Sequence, residues 1–431
     1  MLMKPLPHQE IGAKWLAERR RAFLFWAPRT GKTGTAIIAA DMRFARRILV
    51  LTTASGRGVW RKAFCDWSNM PRVVRVFGVD APGECDVLIV SYDMATRAIG
   101  ERGFDLILLD EDQKVVNPET KRAQAVYGSL VQPGDVVWNL TGSPCPLHIG
   151  NMWTRVAASF PERLEADARR GWPDVKSFEA FRNRYCIVRR KKLSPWTSID
   201  VVVGSCNEQE LYERLEGTFQ RLSQAEIGIS DPFYDTLPLI VTEAQRREAD
   251  GNADRKQVLA AIASGRTRDL EMSLARLRQV TGVIKANAVV SAAKDFLEKG
   301  DDKLVIAFWH REVGDILARE LNAFGVLRLD GSTPPKTRET LEALFRGENR
   351  RVFLAQITAA SEAISLAPAN DLWFCEMSFS PKDMDQMSKR VTNIEKKTPC
   401  FVKVCCVAGS LDEAMTEGLM RKWAGIRKVI R

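Results

Sequence analysis

The 431-residue chain has no apolar run of about 18 residues, so nothing in it reads as a membrane-crossing helix. Its first ten residues, MLMKPLPHQE, lack the basic flank, apolar core and cleavage site of a secretion signal, and the expected compartment is the cytoplasm. None of its nine cysteines (Cys65, Cys85, Cys145, Cys186, Cys206, Cys375, Cys400, Cys405 and Cys406) falls in a CxxC pair. The number is also odd, so zinc ligation and a disulfide framework are both poorly supported, and reduced core thiols are expected. At 45% hydrophobic and 27% charged, the chain is too apolar for disorder and long enough for two or three packed domains of a soluble globular protein. A net charge of +10 favours a polyanionic partner, nucleic acid first, although a diffuse basic surface also serves solubility.

One further absence is local. WAPRTGKT at 26–33 has the ending of a phosphate-binding loop, GxxxxGK[ST], but Trp26 stands where the first glycine belongs. The flanks supply the right context: AFLFW at 22–26 reads as a buried strand, and TGTAIIAADMRF after Lys32 has small and apolar residues at helical spacing. In a strand–loop–helix of this kind Gly31 lets the backbone approach phosphates and Lys32 reaches the β and γ phosphates. Thr30 lies within the loop, and the Thr33 hydroxyl coordinates magnesium at the helix start. Trp26 falls at the strand end, where bulk is tolerated. A second strand, FDLILLDEDQ at 104–113, ends in two acids: Asp110 is a candidate to hold magnesium and Glu111 to polarise the attacking water.

With these motifs in place the chain resembles a superfamily two helicase-type ATPase, of the Swi/Snf-like branch that includes annealing helicases and small phage-type relatives. LPHQEIGAKWL at 6–16 resembles the family's Q motif, which makes Gln9 an adenine-reading candidate. ILVLTTASGRGVWRKAFCDW at 48–67 and LIVSYDM at 88–94 resemble elements that touch the DNA backbone. DEDQKVVNPETKR at 110–122 resembles the DEAH box and LTGSP at 140–144 the coupling motif. KLVIAFWHREVGDILARELNAFGVLRLDGST resembles the opening of the second lobe, and QITAASEAISLAPANDLWFCEMSFSP and DQMSKRVTNIEKKTP its fifth and sixth motifs.

The resemblance implies two tandem RecA-like lobes, an α/β fold of parallel sheets with a mostly helical insertion: a first lobe at 1–155, a helical basic region at 156–285 and a second lobe at 286–431. Apolar strands at 48–52, 87–91, 104–109 and 136–140, and again at 304–308, 326–330, 352–355, 372–375 and 401–407, predict the two sheets without any family. One phosphate loop for two lobes implies ATP and Mg2+ in the cleft between them. Gln386 and Arg390 of the sixth motif are then catalytic candidates. Arg57, Trp60, Ser91, His310 and Arg311 are the DNA-contact candidates, although Trp60 reads equally as a core residue under its loop. Contacts of this kind fix the backbone and read little sequence. FRNRYCIVRRKK at 181–192 adds a basic run that is either a solvated face or a phosphate contact.

The departures from the family pattern define the alternatives. DEDQ places Asp112 where a small residue is usual, an extra carboxylate expected beside the magnesium site. SEAIS puts Ser361 and Glu362 in a turn that is usually glycine-rich. In the sixth motif Asn393 replaces the second arginine, and Glu395 and Lys396 replace glycine and glutamine. Either Arg390 acts alone, or Lys389, Lys396 or Lys397 substitutes, or turnover is slow. The expectation is therefore a monomeric, DNA-dependent ATPase and translocase that remodels or anneals duplex or forked DNA, in a bacterial or phage-infected cell. The alternative is a hydrolysis-impaired, ATP-gated DNA clamp or partner platform. No further cluster of acids and lysine outside these motifs supports a nuclease.

Overall fold

The computed structural model describes residues 3–430 apart from 99, 102, 143, 146–148, 193–197, 252–255, 257, 259–274, 361–363, 379–380, 394–395 and 397. Its chain divides into two compact units, Met1–Ser223 and Gln224–Arg431.

The first unit is built on a seven-stranded, all-parallel sheet in the order β3-β4-β2-β5-β6-β1-β9. Its strands are β1 (Arg21–Trp26), β2 (Ile48–Thr52), β3 (Val74–Val76), β4 (Val87–Ser91), β5 (Leu106–Asp110), β6 (Val137–Leu140) and β9 (Phe219–Leu222). All five residues of β2 and of β4 are buried, as expected of a parallel sheet covered on both faces. Strand alternation sorts these side chains into two cores. Leu24, Val50, Leu108 and Trp138 pack with helices α1 (Pro7–Ala17), α2 (Lys32–Met42) and α3 (Gly56–Trp67), whereas Leu49, Leu51, Ile107 and Leu109 pack on the other face with Ala95, Val126 and Leu130.

The second unit holds a six-stranded parallel sheet in the order β10-β15-β14-β11-β13-β12. These are β10 (Phe233–Leu239), β11 (Leu304–Phe308), β12 (Val326–Leu329), β13 (Val352–Gln356), β14 (Asp371–Phe374) and β15 (Phe401–Val407). The strands expected from apolar runs are all present, each within two residues of its predicted ends.

The stretch expected to be mostly helical is more mixed. Helices occur at Phe178–Tyr185, Glu208–Arg214, Glu243–Asp250 and, starting near its end and running beyond it, Ala275–Leu297, but so do four strands. CIVRRKK and SIDVVVGS form an antiparallel ribbon, β7 (Cys186–Lys192) and β8 (Ser198–Ser205), in whose backbone register Arg190 stands opposite position 200. The basic run therefore starts in a helix and finishes in this ribbon, with Arg189 and Arg190 exposed. β9 and β10 are edge strands, one on each sheet. Edge strands carry mixed polar residues, so their sequences lack the apolar signature of the central strands.

Trp26 settles the missing glycine. It is the last residue of β1, 1% exposed, and faces α1, where a Cβ on Gly12 would lie 2.5 Å from its indole ring. The indole fills the core between strand and helix, and the loop begins one residue later. Restoring the motif glycine by Trp26→Gly should therefore destabilise the protein by at least about 3 kcal/mol through the cavity left behind. Urea unfolding measures this, and a variant as stable as wild type would contradict the packing.

Candidate nucleotide site

The loop from Ala27 to Gly31 connects β1 to α2 and is held by the protein on every side. His8 Nε2 lies 2.9 Å from the Thr30 carbonyl, and Gln9 Nε2 donates to the Gly31 carbonyl at 3.1 Å. The Thr30 hydroxyl donates to the Ala27 carbonyl at 2.8 Å, and the Ala27 amide to Leu222 in β9 at 2.8 Å. Gly31 adopts a left-handed φ of 84°, and a Cβ there would meet Gln9 Nε2 at 2.4 Å, so only glycine fits. Arg29 has a φ of 69° without that excuse, a strained backbone of the kind that collects at ligand clamps. Lys32 Nζ donates to the carbonyls of Trp26 and Ala27 at 2.9 and 3.2 Å, so its ammonium sits inside the curve of the loop. Thr33 lies half-buried in the first turn of α2. Gln9 is 2% exposed, with its carbonyl accepting from the Leu6 amide at 3.0 Å. It ties the loop to α1, and its reading of adenine rests on the resemblance alone.

Asp110 and Glu111 follow at the end of β5, one strand away from β1 across β6. Asp110 Oδ2 accepts from the Thr52 hydroxyl at 2.9 Å and the Trp60 indole at 2.8 Å, while its backbone carbonyl accepts from the Tyr92 hydroxyl at 2.8 Å. Burial and the neighbouring Glu111 push its carboxyl up to about 6, against the downward pull of Trp60, Thr52 and the Lys32 charge. Glu111 takes a left-handed φ of 52°, a second strained residue at the site. Gln113 donates to its carboxylate, and the Gln113 carbonyl in turn accepts from the Thr141 hydroxyl at 2.5 Å. That chain ties Glu111 to the end of β6.

Asp112 corrects its expectation. It does not join the cation site: the side chain is fully buried, paired with the fully buried Arg155 guanidinium at 3.2 Å and accepting from Asn139 at 2.8 Å. Burial raises its carboxyl, against the opposing pull of Arg155 and Asn139. Arg155 comes from the helix Trp153–Ser159, 43 positions along the chain, so nothing local announced it. Among the DNA candidates, Trp60 and Ser91 are also corrected. They are 1% and 2% exposed, and buried side chains do not meet a duplex. Trp60 serves Asp110 instead, and Ser91 closes the fully buried β4. Arg57 is half-buried, with its Nε bonded to the Ala54 carbonyl at 3.1 Å. Neither Thr52, Tyr92, Gln113 nor Arg155 carried a sequence signal for these roles.

In the second unit Arg311 is exposed at the start of the helix Arg311–Glu320, and His310 Nδ1 lies 2.6 Å from Glu376. Burial would raise the Glu376 carboxyl, but His310 and the amides of Trp309 and His310 hold it below its usual range. Gln386 lies on the helix Pro381–Ser388, and Arg390 follows four residues later, both half-buried. Two of the lysines that could replace the missing arginine are engaged elsewhere. Lys389 pairs with Asp385 at 2.6 Å, and Lys396 donates to the carbonyls of Ala367, Ala369 and Val391. Ser361, Glu362, Glu395 and Lys397 lie outside the described residues.

The donors fit a magnesium–nucleotide pair. Both bonds to Asp110 fall on Oδ2, which leaves Oδ1 without a donor among the described residues. Among those residues no group of three or more His, Cys, Asp or Glu could enclose a metal, so a cation held by Asp110 and Thr33 needs further oxygens from a phosphate or water. Nor, among them, is any helix long and apolar enough to cross a membrane.

The motif order and the two parallel sheets can be compared with known proteins. Residues 288–395 match the helicase conserved C-terminal domain. A SWI/SNF-related matrix-associated actin-dependent regulator of chromatin subfamily A-like protein 1 from Xenopus tropicalis is 26% identical over 97% of this chain and 44% of its own length. The DNA annealing helicase and endonuclease ZRANB3 of Bos taurus is 22% identical over 97% of this chain and 40% of its own. The chain spans less than half the length of these relatives. A solved Sulfolobus solfataricus SWI2/SNF2 ATPase core in complex with dsDNA matches with a TM-score of 0.45 and 19% identity, over 97% of this chain and 92% of that one.

The Asp112–Arg155 pair gives a direct test of the corrected site. Arg155→Met should cost about 3–5 kcal/mol by leaving a buried carboxylate uncompensated, and adding Asp112→Leu should recover most of it. Urea unfolding of both variants checks this, and an Arg155→Met protein as stable as wild type would refute the pairing.

Proposed function

We propose that the chain is a DNA-dependent ATPase and translocase of helicase type, which remodels or anneals duplex or forked DNA. One observation carries this reading: the GKT loop and the Asp110–Glu111 pair lie at the carboxyl ends of strands in one parallel sheet, near enough that the Lys32 charge acts on Asp110. The Lys32 ammonium and the loop amides would bind the phosphates, and Thr33 and Asp110 Oδ1 would hold Mg2+. When bound, the ion neutralises charge on the phosphoryl oxygens. Glu111, fixed by Gln113, orients and deprotonates the attacking water, a role worth about 10²–10⁴ in rate.

DNA as partner is supported by the net charge of +10, by the exposed Arg189, Arg190 and Arg311, and by the likeness to a DNA annealing helicase. Phosphate contacts of this kind bind without reading sequence. The proposal includes a monomer acting in a bacterial or phage-infected cell, whereas the similar proteins named above come from animals.

Asn393 favours a second reading, a DNA clamp gated by ATP with impaired hydrolysis. With Lys389 and Lys396 engaged, Arg390 is the arginine left to stabilise the transferring phosphoryl group. Phosphate release with single-stranded, duplex and forked DNA decides between the two. The motor reading expects DNA-stimulated release that Lys32→Ala abolishes and Arg390→Ala lowers about 10³-fold, with nucleotide binding by the Arg390 variant largely kept. Wild-type release no higher than that of Lys32→Ala would leave the clamp, and full activity in Lys32→Ala would overturn the site.

A further inference from the structure

Trp60 and Thr52 come from different elements and meet at one oxygen. Thr52 ends β2 and is fully buried; Trp60 sits in the second turn of α3 and is 1% exposed. Core tryptophans elsewhere in this unit do otherwise: the Trp138 indole donates to the Arg19 backbone carbonyl at 3.0 Å, and the buried Trp26 indole N–H has no acceptor among the described residues. Trp60 instead donates to a carboxylate, and Thr52 donates to the same Oδ2.

The approach is built for this. Gly56 opens α3 one turn before Trp60, and a Cβ there would lie 2.3 Å from the Thr52 hydroxyl, so any larger residue would push that donor off Asp110. Tyr92 fixes the backbone of the same residue from the end of β4. The Asp110 carboxylate is thus held against rotation, with Oδ2 saturated.

Building on the proposed ATPase reading, we infer that Trp60 and Thr52 are positioning residues, which lock Asp110 so that Oδ1 is presented to the nucleotide-bound cation. Groups one step behind a metal ligand set its orientation, and their loss commonly costs 10- to 100-fold in metal affinity. The ring of Trp60 fills the core, but its N–H serves the site. Trp60→Phe removes the donor and keeps an aromatic ring; Thr52→Val removes the other donor at equal size, and Thr52→Ser restores it.

Calorimetric titration of the full chain with ADP, with and without Mg2+, separates positioning from packing. The inference expects metal-free ADP affinity to stay within about twofold of wild type in all variants. The gain in affinity from Mg2+ should fall roughly 10-fold in Trp60→Phe and in Thr52→Val, and return in Thr52→Ser. An unchanged Mg2+ gain in both donor-lacking variants, even with a lowered melting temperature, would overturn it and make Trp60 a core residue only. If Trp60→Phe does not fold, the Thr52 pair decides by the same criterion. Wild type that binds no ADP would instead refute the ATPase reading on which the inference rests.

Discussion

The structure of the first unit turns on keeping a carboxylate available at the end of a strand that is otherwise wholly apolar. Leu106 to Leu109 are buried on both faces of the sheet, and the next three residues are all acids. A buried charge is costly unless hydrogen-bonded or paired. Each acid meets that cost differently. Asp110 is bonded by Thr52 and Trp60, Glu111 turns through a left-handed backbone and is held by Gln113, and Asp112 goes inward to Arg155 and Asn139. The packing of β2, α3, β6 and the helix Trp153–Ser159 around β5 is what makes three adjacent acids compatible with one fold.

Much of the architecture was legible because central parallel strands are nearly continuous apolar runs. ILVL, VLIV, LILL and LVIAF can hardly be anything else between turn-rich segments, and GKT and DE at strand ends are short-range signals. What was not legible depends on partners far away in sequence. Trp26 looks like a damaged glycine until Gly12 shows the notch it fills, and Asp112 looks like an extra cation ligand until Arg155 appears. Trp60 could be read as core or as DNA contact from its loop, and only the indole bond to Asp110 assigns it. The edge strands β9 and β10 and the ribbon β7–β8 were hidden for another reason: exposure permits charge, and charge erases the period-two pattern.

The second unit shows the same economy with its polar groups. Lys285 is buried yet bonded to Asp412 and the Cys405 carbonyl, and Lys396, within the sixth motif, gathers the carbonyls of Ala367, Ala369 and Val391. Of the lysines that look available in the sixth motif, Lys389 and Lys396 are therefore already committed to holding the fold.

The central claim is that the loop after Trp26 and the end of β5 form one nucleotide site. Hydrogen–deuterium exchange with and without a non-hydrolysable ATP analogue and Mg2+ tests it most directly. The account predicts slowed amide exchange in two segments, Ala27–Thr35 and Leu109–Gln113, lost from both in Lys32→Ala. Binding that protects neither segment, or that survives unchanged in Lys32→Ala, would contradict it.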